Sequence, residues 1–587
     1  MTLLHDFRPE AGFAAALQAR VSATPHLPAA TRWDGRAWVC DDWTRLQSRV
    51  EALAQNFRDA GAGPGDAICV FLKTSYAWAL VDYAIQTIGA VSVVFHPGWS
   101  AADVAAALSI VRPMLTVCGT DEAMIIRPLL ADVATASILW VHDGEYADDP
   151  LWRRTAAAAG PLLAPRPTVC AAALGETATV VFTSGTSGRI KAATLTQRSM
   201  LAAAQHAYAQ LGFDGRRATT LHWLPFSHMF GRIGLYLDLL AGGNSHFSRG
   251  LEHFAEDLQH AAPTVLFAVP IALTRLRHRF ARALAEQTRW RRRIIRIALT
   301  AGGWAAAAPT VVRGPVQHFL RTRIFRDFHD ALGGGLGLIV VGGAPVDRTD
   351  KQFFEALGIA IREGYGLTES SGVAALQSLR RPLAGAGALL PGLEAKIGRD
   401  GELLLRGDLM LGRYLNDDAY DGAGWFHTGD RCRIDPDGAL TITGRIKDMI
   451  IPATGENIDP VKIEALLMRN PLIAEACIVG DGRPCLIAMI VPNAGIGATP
   501  QRDRPRDPVP DPAPIRRHVD AVNAALSSFE QIRGFILVDG FSQDAGELTI
   551  TSKKRRARIQ SNRSGAIDQF YEALRLDRAS SRHVEPA

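Results

Sequence analysis

A dense group of hydroxyl and glycine residues follows an apolar run in VVFTSGTSGRIKAATLT, residues 180–196. Residues 183–188 offer backbone N–H groups and hydroxyls on a chain that glycine lets bend sharply, and such groups bind phosphate oxygens well. Lys191 adds a compact positive charge. The spacing differs from the P-loop pattern GxxxxGK[ST], because Lys191 follows Gly188 by three residues and AATLT has the composition of another strand. The sequence therefore predicts a phosphate-binding loop between two strands.

Short apolar segments alternate with helical patterns on both sides of this loop. A stripe of apolar residues from Trp43 to Phe57 recurs at steps of three and four and predicts a helix that ends at Gly61. Other segments have the length and composition of buried strands, and they are AICVFL, VSVVF, MLTVCG, ASILWV, PTVLFAVP and GLGLIVVGG. This alternation predicts an α/β fold with parallel sheets covered by helices on both faces.

The predicted pattern of strands and helices changes twice towards the C-terminus. Between Pro391 and Ile442, short β-segments separated by DG and NDD turns predict a compact antiparallel β unit. After a boundary near Gly444, Asp459 as N-cap and Pro460 at the first position predict a helix, and EACIVGDGRPCLIAMIVP predicts a hairpin. The segment PQRDRPRDPVPDPAP is rich in proline and charge and predicts a mobile loop inside a small α+β domain.

Composition narrows the class of protein. The chain has 587 residues, 48% hydrophobic and 21% charged, which indicates more than one packed domain. A net charge of +5 is too small to indicate a nucleic-acid partner. The seven cysteines contain no CxxC pair, and the N-terminus MTLLHDFRPE lacks the pattern of a secretory signal, so a cytoplasmic location is expected. The most apolar window, residues 77–95, is interrupted by Asp82 and Gln86 and favours a helix and a strand over a membrane span.

An arginine-rich stretch, TRLRHRFARALAEQTRWRRRIIRI, lies between two of the predicted strands. Because runs of like charge usually lie on a solvated helix face, a solvated face is the favoured interpretation. A surface for the phosphates of CoA or for anionic lipid is the open alternative, so at most a peripheral membrane contact is expected.

Seven segments occur in one order along the chain and together resemble the signature motifs of the acyl-adenylate-forming (AMP-binding) enzyme superfamily. They are FTSGTSGRIK, LPFSHMFGR, VVGGAPV, GYGLTES, GWFHTGD, GRIKDMIIPATGENIDP and LTITSKKRR. The resemblance covers roughly residues 27–571 and is strongest towards the long-chain fatty acyl-CoA synthetase branch. It implies a large adenylating domain at 1–443, a hinge at 444–447 and a mobile C-terminal domain at 448–575, and the remaining residues 576–587 are predicted to form a disordered tail.

The resemblance also implies a reaction. A carboxylate attacks the α-phosphate of ATP to give acyl-AMP and diphosphate, and the thiol of CoA then takes the acyl group. By similarity, Tyr365 offers an aromatic face to adenine, Thr368 contacts the α-phosphate and Glu369 binds Mg²⁺. The residues expected to hold the β- and γ-phosphates are Thr183, Ser184, Gly185, Thr186, Ser187, Gly188 and Lys191. Gly364 and Gly366 flank Tyr365 in the same nucleotide motif.

Further positions of the nucleotide and acyl sites follow from the other motifs. The resemblance places Asp430 on the ribose hydroxyls and His228 at the border of the acyl pocket and the thiol path. The small residues that let adenine approach the backbone are Gly343, Ala344 and Pro345.

The C-terminal motifs imply a moving domain. Arg445, grouped with the catalytic residues, and Lys447 fall at the junction, and Lys447 occupies the hinge position. Gly455 and Glu456 would line the pantetheine channel after rotation. Lys553 aligns with the lysine that bridges the carboxylate and the α-phosphate, and its neighbour Lys554 is the rival for that role.

Three other functions remain open at this point. A ligase could load an acyl carrier protein in place of CoA, a lactone synthetase could adenylate a β-hydroxy acid, and an inactive homologue could serve in binding or regulation. The expected partners are a small carboxylic acid, ATP and CoA, with an acyl carrier protein as the alternative acceptor and no nucleic acid.

Overall fold

The computed structural model describes residues 7–131, 138–142, 153–154, 176–184, 190–212, 218–307, 310–380, 383–453, 456, 458–493, 512–542, 545–548 and 554–581. The chain divides into two compact units. The first contains Met1–Thr428 and Cys432–Ile442, and the second contains Gly429–Arg431 and Thr443–Ala587.

Strands and helices alternate through most of the first unit. The strands of the sequence up to the junction are β1 (Pro28–Trp33), β2 (Trp38–Asp42), β3 (Ala67–Phe71), β4 (Val91–Val94), β5 (Leu115–Gly119), β6 (Ile138–His142), β7 (Arg153–Arg154), β8 (Thr177–Ser184), β9 (Ile190–Thr196), β10 (Thr219–His222), β11 (Asn244–Phe247), β12 (Val265–Ala268), β13 (Leu338–Val341), β14 (Ala360–Tyr365), β15 (Ala375–Leu376), β16 (Ala388–Leu389), β17 (Leu393–Ile397), β18 (Glu402–Gly407), β19 (Arg413–Tyr414), β20 (Phe426–Ile434) and β21 (Leu440–Arg445). The helices are α1 (Gly12–Ala23), α2 (Trp43–Asp59), α3 (Tyr76–Thr87), α4 (Ala101–Ile110), α5 (Thr120–Ala131), α6 (Gln197–Leu211), α7 (Met229–Ala241), α8 (Phe254–Ala261), α9 (Pro270–Ala285), α10 (Arg289–Ala307), α11 (Thr310–Phe319), α12 (Arg326–Ala331) and α13 (Arg348–Ala356).

Two large sheets form the framework of this unit. Among the described residues, one sheet has the order β19-β9-β8-β4-β3-β5-β6-β7 and the other the order β16-β15-β14-β13-β12-β10-β11-β1-β2. The central strands pair in parallel, and every residue of β3 and β4 is buried. Strands buried on both faces need helices on both faces, so the predicted α/β class is confirmed.

Local signals in the sequence explain where elements begin and end. The carboxylate of Asp42 accepts a hydrogen bond from the backbone N–H of Arg45 and caps α2, whose apolar stripe is buried as predicted. The β unit predicted between Pro391 and Ile442 is a four-stranded sheet with the order β17-β18-β20-β21, in which β17 and β18 are antiparallel.

The second unit is a small α+β body. Its strands are β22 (Ile473–Val479), β23 (Leu486–Pro492) and β24 (Ile532–Leu537), and its helices are α14 (Pro460–Leu467), α15 (Pro512–Asn523), α16 (Arg556–Asn562) and α17 (Ser564–Ser581). The predicted hairpin is confirmed, since β22 and β23 pair antiparallel, and Asp459 caps α14 as predicted. Apolar clusters cover both faces of this sheet.

Two boundaries in the second unit differ from the sequence analysis. Helix α15 begins at Pro512, inside the segment predicted as a loop, because proline is well tolerated in the first turn of a helix. Residues 500–511 of that segment lie outside the described residues. Helix α17 continues to Ser581, past residue 576 where a disordered tail was predicted to begin, since its sequence LRLDRASS lacks glycine and proline.

Candidate active site

The hydroxyl-rich loop connects two antiparallel strands, as predicted. In the ladder between β8 and β9, Thr183 lies opposite Lys191 and Ser184 lies opposite Ile190. The five connecting residues, which include Gly185, Thr186, Ser187 and Gly188, lie outside the described residues, as does the side chain of Ser184. The structure therefore fixes the two ends of the loop and the position of Lys191.

The ammonium group of Lys191 is held by two neighbours. Its Nζ lies 2.5 Å from Oδ2 of Asp417 and 5.0 Å from the centre of the Tyr414 ring. The hydrogen bond from Lys191 lowers the pKa of the Asp417 carboxyl. Both partners are partly exposed, so this ion pair can exchange with an incoming anion at small cost.

Tyr414 also contacts the acidic residue of the GYGLTES motif. Its hydroxyl donates a hydrogen bond of 2.5 Å to Oε1 of Glu369, and both residues are buried. Burial and the adjacent carboxylate raise the pKa of Tyr414, so the hydroxyl keeps its proton. One tyrosine thus contacts both the loop lysine Lys191 and the predicted metal ligand Glu369.

The segment after β19 is fixed to the loop strand β9. Tyr414 pairs with Ala193 across the antiparallel ladder, and the amide of Asn416 bonds the backbone N–H of Ala192 and the carbonyl of Ile190. The sequence analysis missed Tyr414, Asn416 and Asp417. The signal available in the sequence was the polar residues of RYLNDD, shortly after the apolar segment LML.

The GYGLTES motif begins at the end of β14. A Cβ atom at Gly366 would lie 2.3 Å from the carbonyl oxygen of Gly372, so only glycine fits there. The chain then forms a 3-10 turn, Thr368–Ser370, which directs Glu369 inward while Tyr365 and Thr368 remain half-buried. The close approach to Gly372 explains why a glycine stands at position 366, just before the short turn.

The residues predicted to border adenine lie in the loop after β13. Gly343 has φ of +88°, which favours glycine, and Gly343, Ala344 and Pro345 are exposed. The loop is anchored by Glu363 of the neighbouring strand β14, whose carboxylate accepts from the backbone N–H of Val346. An exposed loop of small residues leaves room for a flat ligand.

His228 is the N-cap residue of α7, and a second histidine lies beside it. The rings of His228 and His96 are 5.2 Å apart, and His96 follows β4, the strand adjacent to β8. Burial and the neighbouring His228 lower the pKa of His96 to about 3, so His96 is neutral at physiological pH. The sequence analysis missed His96, because nothing in the sequence relates FHPGW to LPFSHMF.

In the second unit, Asp430 and Arg445 form an ion pair. The Nε atom of Arg445 donates to Oδ1 of Asp430 over 2.8 Å, and the carboxylate is almost fully buried. Lys447 lies in a short 3-10 turn, Ile446–Asp448, but its side chain lies outside the described part of the chain. Gly455 lies entirely outside the described residues. Glu456 is half-buried.

The motif LTITSKKRR contains two candidate lysines, and the structure describes only the second of them, Lys554. Lys554 donates to Oε2 of Glu464 over 2.8 Å and to the carbonyl of Ala476, and Glu464 also pairs with Arg556. Burial opposes ionisation of Glu464, but the two cations outweigh it and hold its pKa below the ordinary value. Lys554 is therefore engaged in a structural ion pair, whereas Lys553 lies outside the described residues.

These two units and their arrangement of motifs are those of an adenylate-forming fold. Residues 17–415 match the AMP-binding enzyme family, and residues 447–575 match the AMP-binding enzyme C-terminal domain. The chain therefore belongs to the AMP-binding enzyme family, and it is an adenylate-forming ligase.

Relatives and solved structures agree with this assignment. The long-chain-fatty-acid–CoA ligase FadD15 of Mycobacterium bovis is 32% identical over 567 residues, which cover 91% of this chain and 92% of FadD15. The long-chain-fatty-acid–CoA ligase heimdall of Drosophila melanogaster is 28% identical over 509 residues, covering 79% of this chain and 74% of heimdall. The A-PCP didomain of the carboxylic acid reductase from Segniliparus rugosus, solved in complex with AMP, superposes with a TM-score of 0.71 at 20% identity, covering 97% of this chain and 83% of that one.

Proposed function

We propose that this chain activates a medium- or long-chain fatty acid with ATP to acyl-AMP and then transfers the acyl group to CoA. The observation that carries the proposal is the position of Tyr414, which contacts the ammonium of Lys191 with its ring and the carboxylate of Glu369 with its hydroxyl. A cation for phosphate and a ligand for a divalent metal thus lie on two sides of one side chain. The fatty-acid assignment is supported by the similarity to FadD15 over almost the whole chain.

The residues present fit a magnesium ion that arrives with the nucleotide. Among the described residues, no group of three or more His, Cys, Asp or Glu side chains could hold a metal by itself. Mg²⁺ in such sites binds one or two carboxylates together with substrate phosphates and water. Tyr414 occupies Oε1 of Glu369, and no hydrogen bond to a described residue engages Oε2. Glu369 would therefore hold Mg²⁺ through Oε2, and the ion would neutralise charge on the phosphates.

The remaining steps need positively charged groups at the reacting centre. The carboxylate of the acid and ATP are both anions, so charge neutralisation and positioning must supply most of the rate. Lys191 and the loop that precedes it would bind the β- and γ-phosphates, and Lys553 would neutralise the carboxylate and the α-phosphate. The engagement of Lys554 by Glu464 supports the choice of Lys553.

The second half-reaction would use the residues at the junction and in the second unit. Lys447 would act as the hinge, and Gly455 and Glu456 would line the path of the CoA thiol. Asp430, beside Arg445, would accept the hydroxyls of ribose. We place the enzyme in the cytoplasm, where ATP and CoA are available, and the described cysteines are all free thiols, as a reducing compartment requires.

Asp417→Asn is expected to lower the KM for ATP by up to about fivefold, because an exposed ion pair contributes about 1 kcal/mol or less and its loss frees Lys191 for phosphate. The measurement is initial rate against ATP concentration at saturating acid. Asp418→Asn is the matched control, since Asp418 is the adjacent exposed aspartate. An unchanged or raised KM in Asp417→Asn would show that Asp417 does not compete with ATP for Lys191.

A panel of carboxylic acids tests the proposed function. Acids of increasing chain length are incubated with ATP and Mg²⁺, with and without CoA, and diphosphate and thioester are followed separately. The proposal predicts acid-dependent diphosphate release that is greatest for medium or long chains, and thioester only when CoA is present. Thioester formed only on an acyl carrier protein, or a lactone formed from a β-hydroxy acid without thiol, would replace the CoA assignment.

A further inference from the structure

The exposed face of α10 carries large apolar side chains in a regular row. Trp290, Ile294, Ile297 and Trp304 recur at steps of four, three and seven, and the exposed fractions of Trp290, Ile297 and Trp304 are 66%, 60% and 68%. At 100° per residue, these four positions fall within an arc of about 80° and extend along roughly 21 Å of helix. We refer to these four residues as the α10 stripe. The buried side of α10, which carries Ile295, Ala298 and Ala305, lies about 60–140° around the helix from Trp290.

Positive charge lies along one edge of the α10 stripe. Arg289, Arg293 and Arg296 are exposed and fall on the same side of the stripe on the helix surface. No ion pair joins these three to an acidic residue within the part of the chain that the structure describes, whereas the neighbouring Arg291 pairs with Asp327. An exposed apolar row with an unneutralised basic edge is costly in water unless something covers it.

The charge is concentrated in this part of the chain. Residues 270–324, from α9 to the turn after α11, contain twelve arginines and one glutamate, whereas the rest of the chain contains 52 basic and 58 acidic residues. The chain as a whole carries only +5, so positive charge is concentrated in this segment, although Arg277 and Arg291 pair with Asp350 and Asp327 outside it. Such a local field attracts a polyanionic surface.

We propose that the α10 stripe docks on an anionic lipid membrane, with its tryptophans and isoleucines in the interfacial region and its arginines on the lipid phosphates. Tryptophan is enriched at that interface, and here it stands at both ends of the row. A helix that has an apolar row and basic residues at its edge lies in the plane of the interface. None of the described helices is long and apolar enough to span a bilayer, so this contact lies on the surface.

The positive charge beside the α10 stripe favours a membrane over a second copy of the chain as the partner of this surface. A symmetric dimer through the α10 stripe would bring two basic edges together, and the repulsion between them opposes that arrangement. Lipid headgroups of phosphatidylglycerol or a similar anionic lipid complement the arginines instead. The proposal does not depend on the acyl substrate.

The test is co-sedimentation of the full-length protein with vesicles. Vesicles of phosphatidylcholine with about 30% phosphatidylglycerol are compared with vesicles of phosphatidylcholine alone, at low and at roughly physiological salt. We expect binding to the anionic vesicles, little binding to the neutral ones, and weaker binding as salt rises. The double variant W290A/W304A and the charge reversal R293E/R296E should each bind anionic vesicles at least about tenfold more weakly.

Matched controls separate the stripe from general surface effects. Met124→Ala removes an exposed apolar side chain on α5, and Arg58→Glu reverses an exposed arginine on α2, and both should bind as the parent does. Activity towards a water-soluble acid and the melting temperature should be unchanged in the two double variants, because none of their residues belongs to the candidate active site. Those readouts establish that the variants are folded.

Three results would overturn the proposal. The parent protein could fail to bind anionic vesicles at low salt. The variant W290A/W304A could bind as the parent does, which would leave the exposed row without a role. Analytical ultracentrifugation could show a dimer that W290A/W304A abolishes, without vesicle binding, and that result would assign the α10 stripe to a second copy of the chain.

Discussion

Lys553→Ala is expected to lower acyl-AMP formation by about 10² or more, the scale of losing a charged contact that stabilises a transition state. Thioester formation from chemically made acyl-AMP and CoA should be almost unchanged, because Lys553 is proposed to act only during adenylation. The measurement follows the two half-reactions separately, with diphosphate release for the first and thioester for the second. A loss in both would point to damage of the second unit and not to a lost catalytic contact.

Lys554→Ala is the matched control, because it removes the neighbouring lysine that is proposed to have a structural role. Lys554 shares the buried carboxylate of Glu464 with Arg556, so its removal should destabilise the second unit by roughly 2 kcal/mol and leave adenylation by folded protein near normal. Denaturant unfolding measures the first effect and diphosphate release the second. If Lys554→Ala shows the selective loss of adenylation and Lys553→Ala does not, the catalytic lysine has been assigned one residue too early.

Glu369→Gln is expected to reduce adenylation by a factor on the order of 10², since a charged ligand of a phosphate-bound ion contributes several kcal/mol to transition-state stabilisation. The fold should survive, because glutamine is isosteric with glutamate and its amide oxygen still accepts from Tyr414. The measurement is the rate of acid-dependent diphosphate release as a function of Mg²⁺ concentration. Normal rates at every Mg²⁺ concentration would remove Glu369 from the metal site.

Tyr414→Phe is expected to affect Mg²⁺ binding less than Glu369→Gln does. It leaves the carboxylate of Glu369 but removes the hydroxyl that holds Oε1, so the Mg²⁺ concentration for half-maximal rate should rise while the maximal rate falls less than in Glu369→Gln. Titration of Mn²⁺ in the presence of ATP, followed by its paramagnetic resonance signal, reports metal binding without turnover. Equal Mn²⁺ affinity in Tyr414→Phe and the parent would show that Tyr414 does not position the ligand.

The sequence predicts the parts of this fold that depend on local patterns. The stripe from Trp43 to Phe57 predicts α2, because a helix buried on one face has apolar residues at steps of three and four. The continuous apolar runs of β3 and β4 predict these strands, because a strand buried on both faces is apolar throughout. The Asp459–Pro460 pair likewise marks the start of a helix, since capping chemistry is local.

The contacts within the candidate site depend on distant parts of the chain and could not be predicted in this way. Tyr414 reaches Glu369 only because β19 joins the edge of the sheet beside β9, a pairing that spans 219 residues between Arg413 and Thr194. His96 follows β4 and His228 is the N-cap of α7, 132 residues later in the chain, so their contact also depends on tertiary packing. The arginines of α10 were visible in the sequence, but the exposure of Trp290 and Trp304 follows from which face of α10 packs on the unit.

The most direct test of adenylation uses a fatty acid whose carboxylate carries heavy oxygen in both positions. If the carboxylate attacks the α-phosphate, thiol transfer leaves one of its oxygens on AMP, and mass spectrometry of the products should find one heavy oxygen in AMP and none in diphosphate. The account predicts that result, with label transfer that requires ATP, Mg²⁺ and CoA. Unlabelled AMP, or ADP together with labelled inorganic phosphate, would contradict it and indicate that the acid is activated through another phosphorus atom.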